Sequence, residues 1–370
     1  MIISAPGKIS IAGEWAILEP GNPGMVVAVD KRAYVKIEKS RDKKIHINIK
    51  DFGIRNLEAK FQKGQLRFPK NFRTGKKVSF LKSAIETVLR FLQKYKPFKI
   101  YSSSRELGIK KEDRFREIGL GSSAAIVVAT VAAVLKFHGI NIKKEESRKI
   151  IYKLSALAHY LVQEKLGSGF DIAASTFGGI FLYKRFNPQW LLGQIEKEKN
   201  IRKIVKGKWP GFYFKKLNVP AGLKIIIGWT GEKVSTSKLI KRINNWKIGH
   251  RKEFNDLIQE IVVLVKKIVR AWREENRKGI IRLIAENEEI LRRFGKASGA
   301  GIETKILKKM ASIAQKIGGG GKLSGAGGGD CGIAITFDKK IAGRIKKEWR
   351  KNGIYIVDAG VSFSGVKIEN

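Results

Sequence analysis

The chain has 370 residues, 43% of them hydrophobic, and its 75 Lys and Arg against 33 Asp and Glu give a net charge of +42. That apolar share over that length can bury a large core, which excludes a disordered chain, and the length suggests two domains. One cysteine, Cys331, excludes an intramolecular disulfide framework, and four scattered histidines make no zinc pattern.

The charge invites a nucleic-acid partner, since phosphate backbones are bound mainly by Lys and Arg. Here the basic residues are spread over every segment instead of forming one stripe with interleaved aromatics, so no specific nucleic acid is expected. A positive field of this size instead raises encounter rates with small anions, an effect that salt weakens. The opening MIISAPGKISIAGEW shows no secretory pattern, and the longest apolar stretch, Ala124 to Leu135, is too short to span a bilayer. The expectation is a cytoplasmic protein with no membrane partner, monomeric or homodimeric.

Alternating apolar residues predict strands at Ala33, Val35 and Ile37 and at Ile45, Ile47 and Ile49. Helical spacing follows at Ile150, Leu154, Leu157 and Leu161, and again over a longer run from Phe254 to Trp272. Leu223 to Trp229 and Gly353 to Val357 read as strands, with a helix marked by Ile302, Ile306, Met310, Ile313 and Ile317 between them and a further strand at Gly332 to Phe337. Strands and helices in mixed order point to an α+β class. A lysine-rich stretch with Pro188, Pro210 and Pro220 has little periodicity, which puts a domain division at about residue 186, giving domains 1–185 and 186–370.

Four motifs carry candidate chemistry. SAPGKISIAGEW, Ser4 to Trp15, holds Lys8 after a Pro-Gly turn. GLGSSAA, Gly119 to Ala125, runs straight into an apolar helix, whose N-terminus offers unpaired N–H groups to an anion. Its serines, Ser122 and Ser123, add hydroxyls for a phosphate or a magnesium ion, or serve as simple N-caps. It is not a Walker A loop, because no Gly-Lys-Ser/Thr ending follows. GSGFDIAASTFGG, Gly167 to Gly179, places Asp171 either as a helix cap or as a carboxylate held in a cleft. GGGGKLSGAGGGDC, Gly318 to Cys331, reads as an anion-binding turn or a linker, and the strand that follows favours the turn.

In this order and spacing the four motifs resemble the GHMP small-molecule kinases from end to end. Within that superfamily GEWAILEPGNPG (Gly13 to Gly24), AHYLVQ (Ala158 to Gln163), GWTGEKVSTSKLI (Gly228 to Ile240) and GGGDCG look like the phosphomevalonate kinases. Mevalonate kinases usually have a histidine where this chain has Trp15. The resemblance implies a two-domain GHMP fold, with an N-terminal ribosomal-S5-domain-2-like, ATP-binding half, a ferredoxin-like C-terminal half and the active site in the cleft between them. It implies transfer of the ATP γ-phosphate, with Mg²⁺, to (R)-5-phosphomevalonate; mevalonate or another small alcohol as acceptor is the alternative, and a non-catalytic nucleic-acid-binding relative the rival of another class.

It also implies roles. Lys8 and Asp171 would sit at the reaction centre and touch the acceptor. Gly119, Leu120, Gly121, Ser122, Ser123 and Ala124 would wrap the ATP phosphates, with Ser122 or Ser123 near Mg²⁺. Ser324, Gly325, Ala326, Gly327 and Gly328 would close over phosphate. Arg116, Ser168, Ser235 and Ser237, and more weakly Lys238, would hold the acceptor. One departure stands out: phosphomevalonate kinases commonly carry a lysine two residues before GLGSS, and this chain has Glu117 there, beside Arg116.

Overall fold

The computed structural model describes residues 1–111, 114–163, 167–198, 200–232 and 234–369; the side chains at 110, 111 and 114 are outside that description. Lys233, in the Gly228 to Ile240 segment, therefore also lies outside it.

Strands β1 (Ile2–Ala12), β2 (Pro23–Lys39), β3 (Ile45–Ile49), β4 (Ile54–Gln62), β5 (Gln65–Arg67), β6 (Phe98–Ser103), β7 (Gly108–Lys111), β8 (Arg114–Glu117), β9 (Ile180–Lys184), β10 (Tyr213–Leu217), β11 (Lys224–Trp229), β12 (Gly320–Ser324), β13 (Cys331–Thr336), β14 (Tyr355–Val357) and β15 (Lys367–Glu369) form two main sheets and one hairpin. The first sheet runs β10-β9-β2-β6-β3-β4-β5, with β1 antiparallel to β2 and β15 antiparallel to β1. The second runs β12-β13-β11-β14, antiparallel throughout. β7 and β8 form the hairpin. β10 and β15 belong to the first sheet although they follow residue 186.

The helices are α1 (Lys76–Leu92), α2 (Ser122–Phe137), α3 (Glu145–Val162), α4 (Phe170–Phe177), α5 (Pro188–Lys197), α6 (Ile201–Lys206), α7 (Thr236–Gly249), α8 (Arg251–Arg273), α9 (Arg277–Ser298), α10 (Lys305–Ile317) and α11 (Lys339–Lys351). Residues 124–135 are apolar or small all round the α2 cylinder, so α2 is buried on every side, as a central helix must be. It packs on α1, α3, α4, β1 and β2. α8, by contrast, buries one stripe from Phe254 to Trp272, as its spacing predicts. The aperiodic stretch after residue 186 contains α5 and α6. Asn187 and Asn200 cap them with side-chain oxygens, signals too short for a periodicity reading to register.

The glycine stretch 318–331 divides into two structures. Gly318 ends α10 in the left-handed conformation, Gly320–Ser324 is the strand β12, and only 325–330 is a turn. Glycine in that strand answers to helix packing. A Cβ at Gly320 would lie 2.6 Å from the Ile281 carbonyl of α9, and one at Gly321 would lie 2.7 Å from the Ala311 carbonyl of α10. The expected helix before it is present as α10, which buries Leu307, Met310, Ala311 and Ala314, with Ile306, Ile313 and Ile317 partly buried beside them; Ile302, expected as its first apolar position, lies ahead of the helix.

Candidate active site

The N-terminal strand carries Lys8 through a register shift between Pro6 and Gly7, where β1 slips against β2. Such a bulge re-aims the side chains that follow. The Lys8 amide donates to the Leu120 carbonyl at 2.9 Å, and its ammonium donates to the Gly119 carbonyl, also at 2.9 Å. The ammonium also lies 5.5 Å from the centroid of the Phe170 ring. Gly121, at φ 78°, is the N-cap of α2, and a Cβ there would stand 3.0 Å from Lys8 Cγ. Two motifs distant in sequence thus form one surface.

At the start of α2 the first-turn amides have no intrahelical partner, and the helix dipole is positive there. The serines act neither as caps nor alike. Ser122 donates its hydroxyl to Glu117, and Lys77 of α1 pairs with the same Glu117 oxygen. Ser123 lies 3.1 Å from Nε2 of His159 on α3, whose ring stacks on Phe80 at 5.0 Å. Burial pushes the His159 pKa down, against the nearby Asp171 charge, so the imidazole is neutral near pH 7. Ala124 and Leu120 are fully buried.

Asp171 occupies the second position of α4, whose N-cap is Gly169 at φ 81°. Its carboxylate accepts the Ile172 amide at 2.9 Å. Behind the Gly-Ser-Gly turn two buried tyrosines form a chain: Tyr152 and Tyr183 hydroxyls are 2.9 Å apart, and Tyr183 donates to the Ser168 carbonyl at 2.8 Å. Asp171 is therefore not the N-cap of α4, and it is among the residues that line a cavity.

A cavity of about 130 Å³ collects these parts. The first half supplies Lys8, Glu14, Trp15, Gln163, Ser168 and Asp171, and the second half supplies Thr236, Ile240, Gly325 and Ala326. A second, smaller pocket of about 20 Å³ is lined by Phe80, Ile126 and Ile49 together with Lys77, Glu117, Ser122 and Ser123. Among the described residues no cluster of three or more His, Cys, Asp or Glu is arranged to hold a metal.

Several expected contacts fall elsewhere. Ser324 does not point at the cavity: its hydroxyl donates to the Ser10 carbonyl at 3.0 Å and accepts the Ser10 amide at 3.1 Å, tying β12 to β1. The Gly328 amide is donated to the Ile302 carbonyl at 2.6 Å, and Gly327 packs so tightly on Ile302 that a Cβ would sit 2.3 Å from that oxygen. Gly325 and Ala326 are the members of that turn that line the cavity. Ser235 is exposed and caps α7 by accepting the Lys238 amide, while Ser237 lies outside the cavity lining; the residue between them, Thr236, lines it. Arg116 sits in β8, where the two-residue period sets it on the opposite face from Glu117 and outside the cavity lining. Glu14, Gln163, Thr236, Lys77 and His159 are the site residues that the sequence reading left without a role. The AHYLVQ resemblance contained two of them.

Comparison with known proteins matches the same regions. The GHMP kinases N terminal domain covers residues 79–179, and the GHMP kinases C terminal domain covers 265–354. A phosphomevalonate kinase of Streptomyces sp. (strain CL190) is 30% identical over 98% of this chain and 97% of its own. A mevalonate kinase of Pyrococcus furiosus is 28% identical, over 92% and 90%. The crystal structure of a Lin0012 protein from Listeria innocua superposes with a TM-score of 0.88 at 30% identity, covering 100% of this chain and 99% of that one. The chain belongs to the GHMP kinase family, ATP-using kinases with a two-domain α+β fold. No helix among the described residues is long and apolar enough to cross a membrane.

Proposed function

We propose that the chain transfers the γ-phosphate of ATP to (R)-5-phosphomevalonate, giving (R)-5-diphosphomevalonate and ADP. The observation that carries this reading is the convergence of Lys8, Asp171 and the Gly325–Ala326 turn on one cavity next to the N-terminus of α2. The end-to-end likeness to a phosphomevalonate kinase supports the choice of acceptor.

In the step itself an oxygen of the acceptor phosphate bonds to the γ-phosphorus as the bond to the β,γ-bridging oxygen breaks, and ADP leaves with that electron pair. A phosphate oxygen is already ionised near pH 7, so the protein needs no strong base, and positioning and charge neutralisation dominate. Lys8, fixed by the Gly119 carbonyl, neutralises charge that develops during transfer. Asp171, in the same cavity lining, orients the acceptor. The first-turn amides of α2 receive the nucleotide phosphates. Mg²⁺ takes hard oxygen donors, and the Ser122 or Ser123 hydroxyl would hold it together with the nucleotide phosphates; when bound it would supply charge neutralisation between them.

Transfer to mevalonate is the second reading, favoured by the likeness to mevalonate kinases. A coupled ADP-release assay with each acceptor separates the two. Turnover of phosphomevalonate with little turnover of mevalonate is expected, and the reverse result overturns the proposal.

A further inference from the structure

Buried tryptophans in this chain find carbonyl partners for their indole N–H. Trp209 donates to Ile204 at 2.9 Å, Trp272 to Asn218 at 2.8 Å and Trp349 to Met310 at 3.1 Å. Trp15 and Trp229 are the exceptions: each is buried, and neither Nε1 has a partner among the described residues. Of these two, only Trp15 lines the cavity that holds Lys8 and Asp171.

The backbone of Trp15 is as unusual as its side chain. Its φ is 66°, a conformation that a bulky residue avoids unless the surroundings impose it, and such outliers gather where a ligand is clamped. Here the imposed geometry starts the short turn Ala16–Leu18, whose first bonds run from Ile17 to the Gly13 carbonyl and from Leu18 to the Trp15 carbonyl. The Arg185 guanidinium closes the far end of that turn by donating to the Leu18 carbonyl at 2.6 Å. The ring itself is held edge-on by Phe294 at 5.7 Å. The donor is fixed in place before any ligand arrives.

Its electrical surroundings suit an anion. Arg185 is buried and puts a positive charge behind the same turn. Of the two acidic groups in the cavity wall, Glu14 and Asp171, Glu14 is paired through one oxygen with the buried ammonium of Lys322, while its other oxygen has no partner among the described residues. A buried N–H without a partner is costly, and an ionised oxygen is the acceptor that offsets that cost most strongly.

We propose that the Trp15 indole N–H is a binding donor for an anionic oxygen, carboxylate or phosphate, of the acceptor. This rests on the reading of the chain as a kinase for phosphomevalonate. Trp15 is then a substrate-binding residue for the reaction, positioned by Arg185 and Phe294.

The test uses Trp15→Phe, which keeps an aromatic ring against Phe294 and removes the donor. Full-length wild type and variant are titrated calorimetrically with phosphomevalonate and separately with mevalonate, and steady-state kinetics and nucleotide affinity are measured on both. The expected result is a Kd and KM for phosphomevalonate raised about 10- to 100-fold, as for loss of a hydrogen bond to a charged group, with kcat and nucleotide Kd little changed. Weakening of both acceptors assigns the oxygen to the carboxylate that both carry, and weakening of phosphomevalonate alone assigns it to the phosphate. Phe294→Leu loosens the same packing but leaves the N–H. If it weakens the acceptor as much as Trp15→Phe does, or if Trp15→Phe changes neither Kd, the proposal is overturned. Wild type that binds neither acceptor refutes the acceptor reading itself, independently of Trp15.

Discussion

The ammonium of Lys8 donates to the carbonyl of Gly119 at 2.9 Å across 111 residues of sequence. That bond makes the N-terminal lysine part of the phosphate-binding turn. Because Lys8 uses a carbonyl and not a carboxylate for support, its charge remains available to the reacting phosphates. Lys8→Ala is expected to lower kcat by about 10²- to 10³-fold, the scale of losing one preorganised charge stabiliser, with the urea midpoint nearly unchanged. Asp171→Asn should lower kcat by a comparable factor while keeping the acceptor for the Ile172 amide. Full activity in both variants would show that the reaction centre lies elsewhere.

Gly121 gives the same relationship a backbone test. Its φ of 78° and the 3.0 Å that would separate an added Cβ from Lys8 Cγ mean that Gly121→Ala strains the turn and pushes the lysine aside. We expect a stability loss of about 1–3 kcal/mol together with a fall in kcat. Chemical denaturation and single-turnover kinetics read the two effects separately, and a variant with unaltered turnover would mean that Lys8 tolerates displacement.

Ser324 is predicted to matter for stability rather than for nucleotide affinity. Its hydroxyl serves both backbone groups of Ser10, and the site is buried, so Ser324→Ala leaves a strand N–H and a carbonyl without that partner. The expected cost is about 1–3 kcal/mol in unfolding free energy, with the Kd of an ATP analogue within about twofold of wild type. A large rise in that Kd at unchanged stability would restore a direct phosphate role.

The contrast shows what a sequence can carry. The GLGSS turn, Lys8 and Asp171 were legible because glycine punctuation and fixed spacing are local signals, and so were the helices with a clean apolar stripe, such as α8. The strand at Gly320–Ser324 was not, because its glycines are set by the nearness of α9 and α10 and leave no side-chain pattern. Ser324 was misplaced for a similar reason: its partner lies 314 residues away. In the α7 segment the reading named Ser235 and Ser237, and the residue between them, Thr236, is the one that lines the cavity, a difference that residue types alone do not signal. Glu117, conspicuous as a departure, could not reveal that Lys77 would arrive from α1 to meet it.

That meeting yields a prediction about nucleotide affinity. Glu117 sits beside the first turn of α2, where a net negative charge repels incoming phosphates, and Lys77 offsets it. Lys77→Ala should raise the Kd of a fluorescent ATP analogue several-fold, an effect of about 1 kcal/mol given the partial exposure of the pair and its screening. Adding Glu117→Gln in that background should recover most of the loss. If the double variant binds no better than Lys77→Ala, charge at this position does not govern nucleotide binding.

The last prediction concerns pH. Glu288 on α9 is fully buried and accepts the Leu323 amide at 2.7 Å, and burial pushes its pKa up to about 8 even though that hydrogen bond and Lys322 pull it down. The unfolded carboxyl ionises near pH 4.3. Between those two values the folded chain keeps a proton that the unfolded chain has lost, so stability falls as pH rises through this window and levels off above about 8. His159 works in the opposite direction: its folded pKa is lowered by burial, so it costs stability as pH falls through the ordinary histidine range. The two slopes overlap, and the readout is therefore the difference between wild type and Glu288→Gln, which keeps the acceptor for Leu323 without the titration. Urea midpoints measured from pH 5 to 9 should show the wild type losing ground to the variant up to about pH 8 and no further change above it. A difference that stays constant across the range would mean that Glu288 is already ionised in the folded chain at pH 5.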